Sequence, residues 1–163
     1  MNILYGDMFE YAEASRRAVI IHGCNCRGAF GAGVAGLIRK RYPSVYDAYF
    51  DEHVKGKLVP GYVSWAKATN TILVANACTQ ELPGADAKVE HIHNCITEIL
   101  ARLQELSMNN FVKGTDIFFP AIGCGIGGLR LEDVKDEFER LDLLTKFGYT
   151  VNLVLLNKEW VGV

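Results

Sequence analysis

The sequence predicts an α/β protein, three layers deep, with helices on both faces of a mixed central sheet. Three observations carry that prediction. Short β-branched runs alternate with segments of helical period along the 163 residues; the chain opens on an isolated strand and holds two adjacent strand-like runs mid-way; and it closes on a helix followed by a strand. At this length one hydrophobic core is the expected organisation, so residues 1–163 read as a single domain without linker, repeat or low-complexity tract.

Residues 2–5 form the expected first strand, closed by Gly6-Asp7, and residues 8–15 a short helix. Val19-Ile20-Ile21 places a second strand over 17–24. A glycine-rich stretch follows, then a helix over 34–42 stopped by Pro43, with Arg39-Lys40-Arg41 in its last turn, where cations complement the helix dipole. Residues 44–53 are a second helix that Ser44 could cap. The runs 61–66 and 71–78, split by the polar turn 67–70, read as a hairpin. Val89, Ile92, Ile96, Ile99, Leu100, Leu103 and Leu106 define a long amphipathic helix over 88–106. An apolar strand is expected over 116–122, a helix over 131–147 and a last strand over 151–156. Trp65, Phe118 and Phe119 fit buried strand positions, and Trp160 would pack the end of the last one.

Seventeen basic against nineteen acidic residues give a net charge of -2, so no overall positive field gathers nucleic acid. No apolar stretch reaches the roughly 18–20 residues that cross a bilayer, and the first residues meet Asp7 and Glu10 without a signal-peptide pattern. Five cysteines, an odd number, fit a reducing compartment, and the cytoplasm is the expected location. Cys24/Cys26 and His91/His93/Cys95 each fall short of a metal set, and no metal or cofactor is expected.

Chemistry should gather at two glycine-rich loops, Gly28 to Gly33 and Gly123 to Gly128, each following a strand and preceding a helix. Such loops aim several backbone N–H groups at one anion and add the positive end of a helix dipole, so two of them could hold a diphosphate from opposite sides. Tight turning alone would also explain the glycines. Neither GxxxxGK[ST] nor GxGxxG is present, which disfavours a P-loop ATPase or a common nicotinamide dehydrogenase. Phe30, interrupting the first loop, could cover a ligand or anchor the loop.

Gly6-Asp7, the block Ile21-His22-Gly23-Cys24-Asn25-Cys26-Arg27-Gly28-Ala29-Phe30-Gly31-Ala32-Gly33-Val34-Ala35, and Pro120-Ala121-Ile122-Gly123-Cys124-Gly125-Ile126-Gly127-Gly128-Leu129 resemble, in residues and spacing, the signatures of macrodomains. Within that family, His-x-Cys-Asn-Cys is most similar to the yeast-type ADP-ribose 1''-phosphate phosphatase branch. The resemblance implies a macrodomain-like three-layer fold and ADP-ribose or ADP-ribose 1''-phosphate as ligand, with ADP-ribosylated macromolecules as further partners.

Residue by residue, it implies that Asp7 accepts the adenine amino group beside a backbone contact from Met8. Gly31, Ala32, Gly33 and Val34, together with Cys26, belong to the first phosphate loop, and Gly123, Cys124, Gly125, Ile126 and Gly127 to the second; Asn157 lies near the adenine. Asn25 touches the distal ribose and joins His22 as a catalytic candidate beside the terminal phosphate, where His22 supplies the imidazole of a phosphatase. On the residues alone, Asp7 could equally cap a helix, Asn25 an Asx turn, and His22 could be a satisfied core histidine.

Two rival readings stand beside hydrolysis of ADP-ribose 1''-phosphate: a binding module without turnover, and a hydrolase that removes ADP-ribose from macromolecules. Some macrodomain glycohydrolases use a lysine after the central strand and an acid in the second loop. The corresponding residues here are Gln80 and Gly127, which replace neither.

Overall fold

The structure, a computed structural model, describes residues 1–108 and 113–157. In chain order these form β1 (Asn2–Tyr5), α1 (Met8–Ala14), β2 (Arg17–Cys24), α2 (Gly33–Arg41), α3 (Pro43–Val54), β3 (Val63–Lys67), β4 (Ile72–Cys78), α4 (Val89–Ser107), β5 (Thr115–Phe119), α5 (Leu131–Arg140), a 3-10 segment (Leu141–Phe147) and β6 (Thr150–Leu155). Trp160 lies outside the described residues.

The strands make one sheet in the order β1-β6-β5-β2-β4-β3. Every neighbouring pair is parallel except β3 and β4, whose antiparallel pairing matches Val63 with Ala77 and Lys67 with Leu73. The mixed sheet and the hairpin are as the sequence predicts. The isolated first strand enters beside the last, with Asn2 opposite Asn152.

The period-2 pleat sorts β2 into two cores. Val19 and Ile21 face α4, α5 and the 3-10 segment, while Ala18, Ile20 and Cys24 face α1, α2 and α3. Both faces of β2 are therefore dry, which is why that strand reads as an unbroken apolar run instead of an alternating one.

Most boundaries shift by a residue or two from the sequence reading, and three differences have a direct physical reason. β5 ends at Phe119, because Pro120 offers no N–H to a ladder, and the chain turns at once through Ile122 N–H to Pro120 O (2.8 Å). The expected helix 131–147 tightens to 3-10 after Arg140; Phe138, Leu141 and Leu144 are buried at intervals of three, which is the 3-10 period. Pro43 occupies the first turn of α3, and Ser44 hydrogen-bonds Lys67 O (3.4 Å) instead of capping.

Candidate functional site

β1, β6, β5, β2 and β4 run parallel, so their carboxyl ends open on one side of the sheet, where a cleft of about 700 Å³ crosses them. Both glycine loops face it. Ala32 and Ile126 line the same cavity, and a Cβ placed on Gly33 would stand 3.1 Å from Ile126 Cδ1. Gly33 has φ +60°, so its lack of a side chain serves both its backbone and this contact across the cleft.

The first loop leads into α2 with no side-chain cap, leaving first-turn N–H groups at the cleft. In the second, the carbonyl of Gly123 accepts from Leu129 N–H (2.9 Å) and Gly125 O from Gly128 N–H (3.3 Å), closing the turn. Among the described residues, the N–H groups of Gly125, Ile126 and Gly127 have no acceptor in the protein. Two sets of oriented backbone donors thus meet across a gap lined mainly by Gly, Ala, Val, Ile and Leu, an arrangement suited to an anion bridged between them.

Asp7 sits at the β1 end of the cleft. Its Oδ1 accepts Phe9 N–H (2.8 Å) and caps α1, so the capping role is real, and Oδ2 remains for a ligand. Met8, Gly31, Val34, Gly123, Gly125 and Gly127 also line the cavity. Cys26, Cys124 and Asn157 do not. The Cys26 thiol is buried against Gln80 O (3.4 Å), Cys124 packs beside Ile122 O (3.7 Å), and Asn157 is exposed on the bend after β6.

Asn25 lines the cleft, but its carboxamide also holds its own loop. Oδ1 accepts Arg27 N–H (2.8 Å) and Nδ2 donates to Ala29 O (2.8 Å), an Asx turn. From beneath, the buried Tyr49 hydroxyl donates to Asn25 O (2.7 Å) and accepts Gly28 N–H (3.1 Å). Tyr46 donates to Gly28 O (3.0 Å). Phe30 is 1% exposed and packs on Tyr49 (ring centroids 4.2 Å apart), so it anchors the loop and is no lid.

The structure corrects the placing of His22. Its side chain is fully buried on the α1–α3 side of the sheet and does not line the cleft. Nε2 hydrogen-bonds Asn76 Oδ1, its direct neighbour on β4, and the ring meets the edge of Phe30 at 5.4 Å. Burial holds its pKa down to about 4, opposed by the Asn76 hydrogen bond. The imidazole is neutral at neutral pH and lies outside the cleft lining.

The charged groups lining the cleft, among the described residues, are Asp7 and Arg41. Arg41 is held by Glu13 (Nη2 to Oε1, 3.2 Å), with its guanidinium 5.1 Å from the centroid of the Phe9 ring. Sequence reasoning missed Phe9, Leu37, Arg41, Thr79, Pro83 and Leu156 as lining residues. Thr79 was findable, because it directly follows a strand whose carboxyl end faces the cleft.

Gln80 is turned into its own loop, donating to Leu82 O (2.6 Å) and Gly84 O (2.7 Å). His93 pairs with Glu137 (2.9 Å), whereas Cys95 is buried against Cys78 O (3.5 Å); no group of three or more His, Cys, Asp or Glu forms a metal set among the described residues.

The sequence pattern of the Macro domain family matches residues 21–138. The ADP-ribose 1''-phosphate phosphatase of Meyerozyma guilliermondii is 27% identical over 88% of this chain and 95% of its own length. The DNA ADP-ribosyl glycohydrolase of Mycobacterium tuberculosis is 25% identical over 71% of this chain and 32% of its own. Among solved structures, Thermosipho africanus DarTG in complex with ADP-ribose superposes with a TM-score of 0.72 at 23% identity, covering 98% of this chain and 42% of that one.

Proposed function

The chain belongs to the Macro domain family, and from that premise we propose that it binds ADP-ribose along the cleft and hydrolyses ADP-ribose 1''-phosphate to ADP-ribose and phosphate. The observation that carries the reading is the pair of glycine loops, in contact across one cavity with a carboxylate at its β1 end. Asp7 Oδ2 takes the adenine amine. The N–H groups of residues 31–34 and 125–127 take the two phosphates, and the distal ribose lies towards Asn25 and Thr79. Support for the 1''-phosphate as substrate comes from the Meyerozyma relative, which matches over nearly its whole length.

Transition-state stabilisation falls in this reading to fixed backbone dipoles, since His22 is withdrawn from the cleft. The test is incubation of the purified protein with ADP-ribose 1''-phosphate and with mono-ADP-ribosylated protein and DNA, quantifying phosphate and ADP-ribose separately. Phosphate from the small substrate alone is expected.

One observation favours a second reading, binding without turnover: the charged lining groups, Asp7 and Arg41, cluster with Met8 and Phe9, leaving the other end of the cleft without a charged side chain among the described residues. Tight ADP-ribose binding with no product of either kind would establish it. Removal of ADP-ribose from a macromolecule by a lysine and an acid is disfavoured, because Gln80 is committed to its own loop and Gly127 has no side chain.

A further inference from the structure

Gly33, Leu37 and Arg41 follow one another at intervals of four along α2, and all three line the cleft, so one stripe of that helix forms its wall. α2 begins beside the backbone donors of the first loop, and its eight further residues carry the chain about 12 Å along the helix axis. The helix thus leads from the phosphate loops to the β1 end, with room for a ribose between. There the Arg41 guanidinium stands 5.1 Å from the centroid of the Phe9 ring, and the Phe9 N–H is itself bonded to Asp7 Oδ1 (2.8 Å).

The plane of that guanidinium is fixed. Nε and Nη2 donate to Glu13 Oε1 (3.4 and 3.2 Å), Nη2 also to Oε2 (3.3 Å), and the Tyr42 hydroxyl donates to the same Oε1 (2.7 Å). The pair is a weak tether, because the Arg41 and Glu13 side chains are 39% and 44% exposed and such ion pairs add little stability. Its effect is to orient the cation. Leu37 and Leu156, both exposed, leave apolar surface open in the same cavity, where Val154 and Leu155 continue the wall.

These surroundings suit a flat group with a polar edge: a carboxylate for an amine, apolar side chains and a planar cation for the faces. Guanidinium planes stack on nucleobases through cation–π attraction and weak hydration, whereas an ammonium is a compact, strongly hydrated point charge. We propose that Arg41 is a specificity-determining residue for the base of the ligand, its guanidinium lying flat against adenine while Asp7 takes the amine at the edge. The inference rests on the ADP-ribose binding proposed above and holds with or without turnover. Glu13 is a positioning residue, acting through Arg41. A ligand without a purine at this end forgoes the contact, so Arg41 favours ADP-ribose over simple ribose phosphates.

Three variants test the stack. Arg41→Gln removes the charge, Arg41→Lys keeps the charge without the plane, and Glu13→Gln breaks the ion pair but leaves the guanidinium. The expected result by calorimetry is a Kd for ADP-ribose about three- to thirtyfold higher in Arg41→Gln, the range of one cation–π contact. Arg41→Lys should stay within about twofold of Arg41→Gln, because charge without a plane does not replace the stack. Glu13→Gln should weaken binding less than Arg41→Gln does. In the wild type, NMR should show the Arg41 side-chain protons moving upfield on addition of ADP-ribose, under the ring current of the base. Unchanged affinity in Arg41→Gln, wild-type affinity in Arg41→Lys, an equal loss in Glu13→Gln, or Arg41 resonances that do not respond to bound ligand overturns the stack and leaves ADP-ribose binding standing. A folded wild type that fails to bind ADP-ribose overturns both.

Discussion

At Gly127 an added methyl would lie 2.6 Å from the Gly123 carbonyl oxygen and 2.8 Å from Ala87 Cβ, so the backbone of the second loop would have to move. Gly127→Ala is therefore expected to weaken ADP-ribose binding at least about tenfold and to cost roughly 1–3 kcal/mol of stability, measured by calorimetry and urea unfolding. His22 acts on the protein differently. An unfolded histidine takes up a proton below its ordinary pKa of 6.5, while the buried ring resists until about 4. Between those values the unfolded state holds the extra proton, so stability falls as pH falls, by on the order of 3 kcal/mol across the window. Urea titrations from pH 7 to pH 4 should show this slope in the wild type and its flattening in His22→Gln; an equal slope in both would remove the histidine as its cause. The sequence displayed His22 and Asn25 as chemistry-bearing residues. It could not display that Asn76 and Tyr49, far away in the chain, draw them into the scaffold.

The α3 helix determines the shape of a loop it does not belong to. Tyr49 and Tyr46 reach from it to Asn25 and Gly28, with Phe30 packed between them and His22. Tyr49→Phe leaves Gly28 N–H and Asn25 O without that hydroxyl, at a cost of about 1–3 kcal/mol. Faster amide exchange at Gly28 than in the wild type is the accompanying expectation, and unchanged exchange would show that packing alone holds the loop. Element type was legible wherever periodicity ran long, as in α4, with Ile92, Ile96, Ile99 and Leu103 buried on one face. Ends were harder to read because they depend on partners. β5 stops where Pro120 removes a donor, and α5 tightens where its buried positions fall three apart. Phe30 was ambiguous for the same reason, since its neighbours Tyr46 and Tyr49 belong to another element.

Across the whole molecule, the cleft draws on β1, β6, β5, β2 and β4 and touches both cores: Met8 and Val34 belong to one, Ala121 and Ile122 to the other. A ligand gripped by both loops consequently stabilises the complete fold and not one layer of it. At a hundred times its Kd, ADP-ribose should add about 2.7 kcal/mol and raise Tm by roughly 5–10 °C, with hydrogen exchange slowed in both loops. Protection confined to one loop would mean that the phosphates are not bridged. The parallel sheet was legible as alternating strands and helices, but the seat of β1 beside β6 was not, because nothing local in residues 2–5 names a partner about 150 residues away.

That pairing also sets a schedule for biosynthesis. Asp7 and Met8 are translated about 150 residues before the strand that seats them and the neighbouring Leu155 and Leu156 of the same cleft wall. At about 5–20 residues per second, the nascent chain spends roughly 8–30 s with its opening strand unpaired and this end of the ligand site unbuilt.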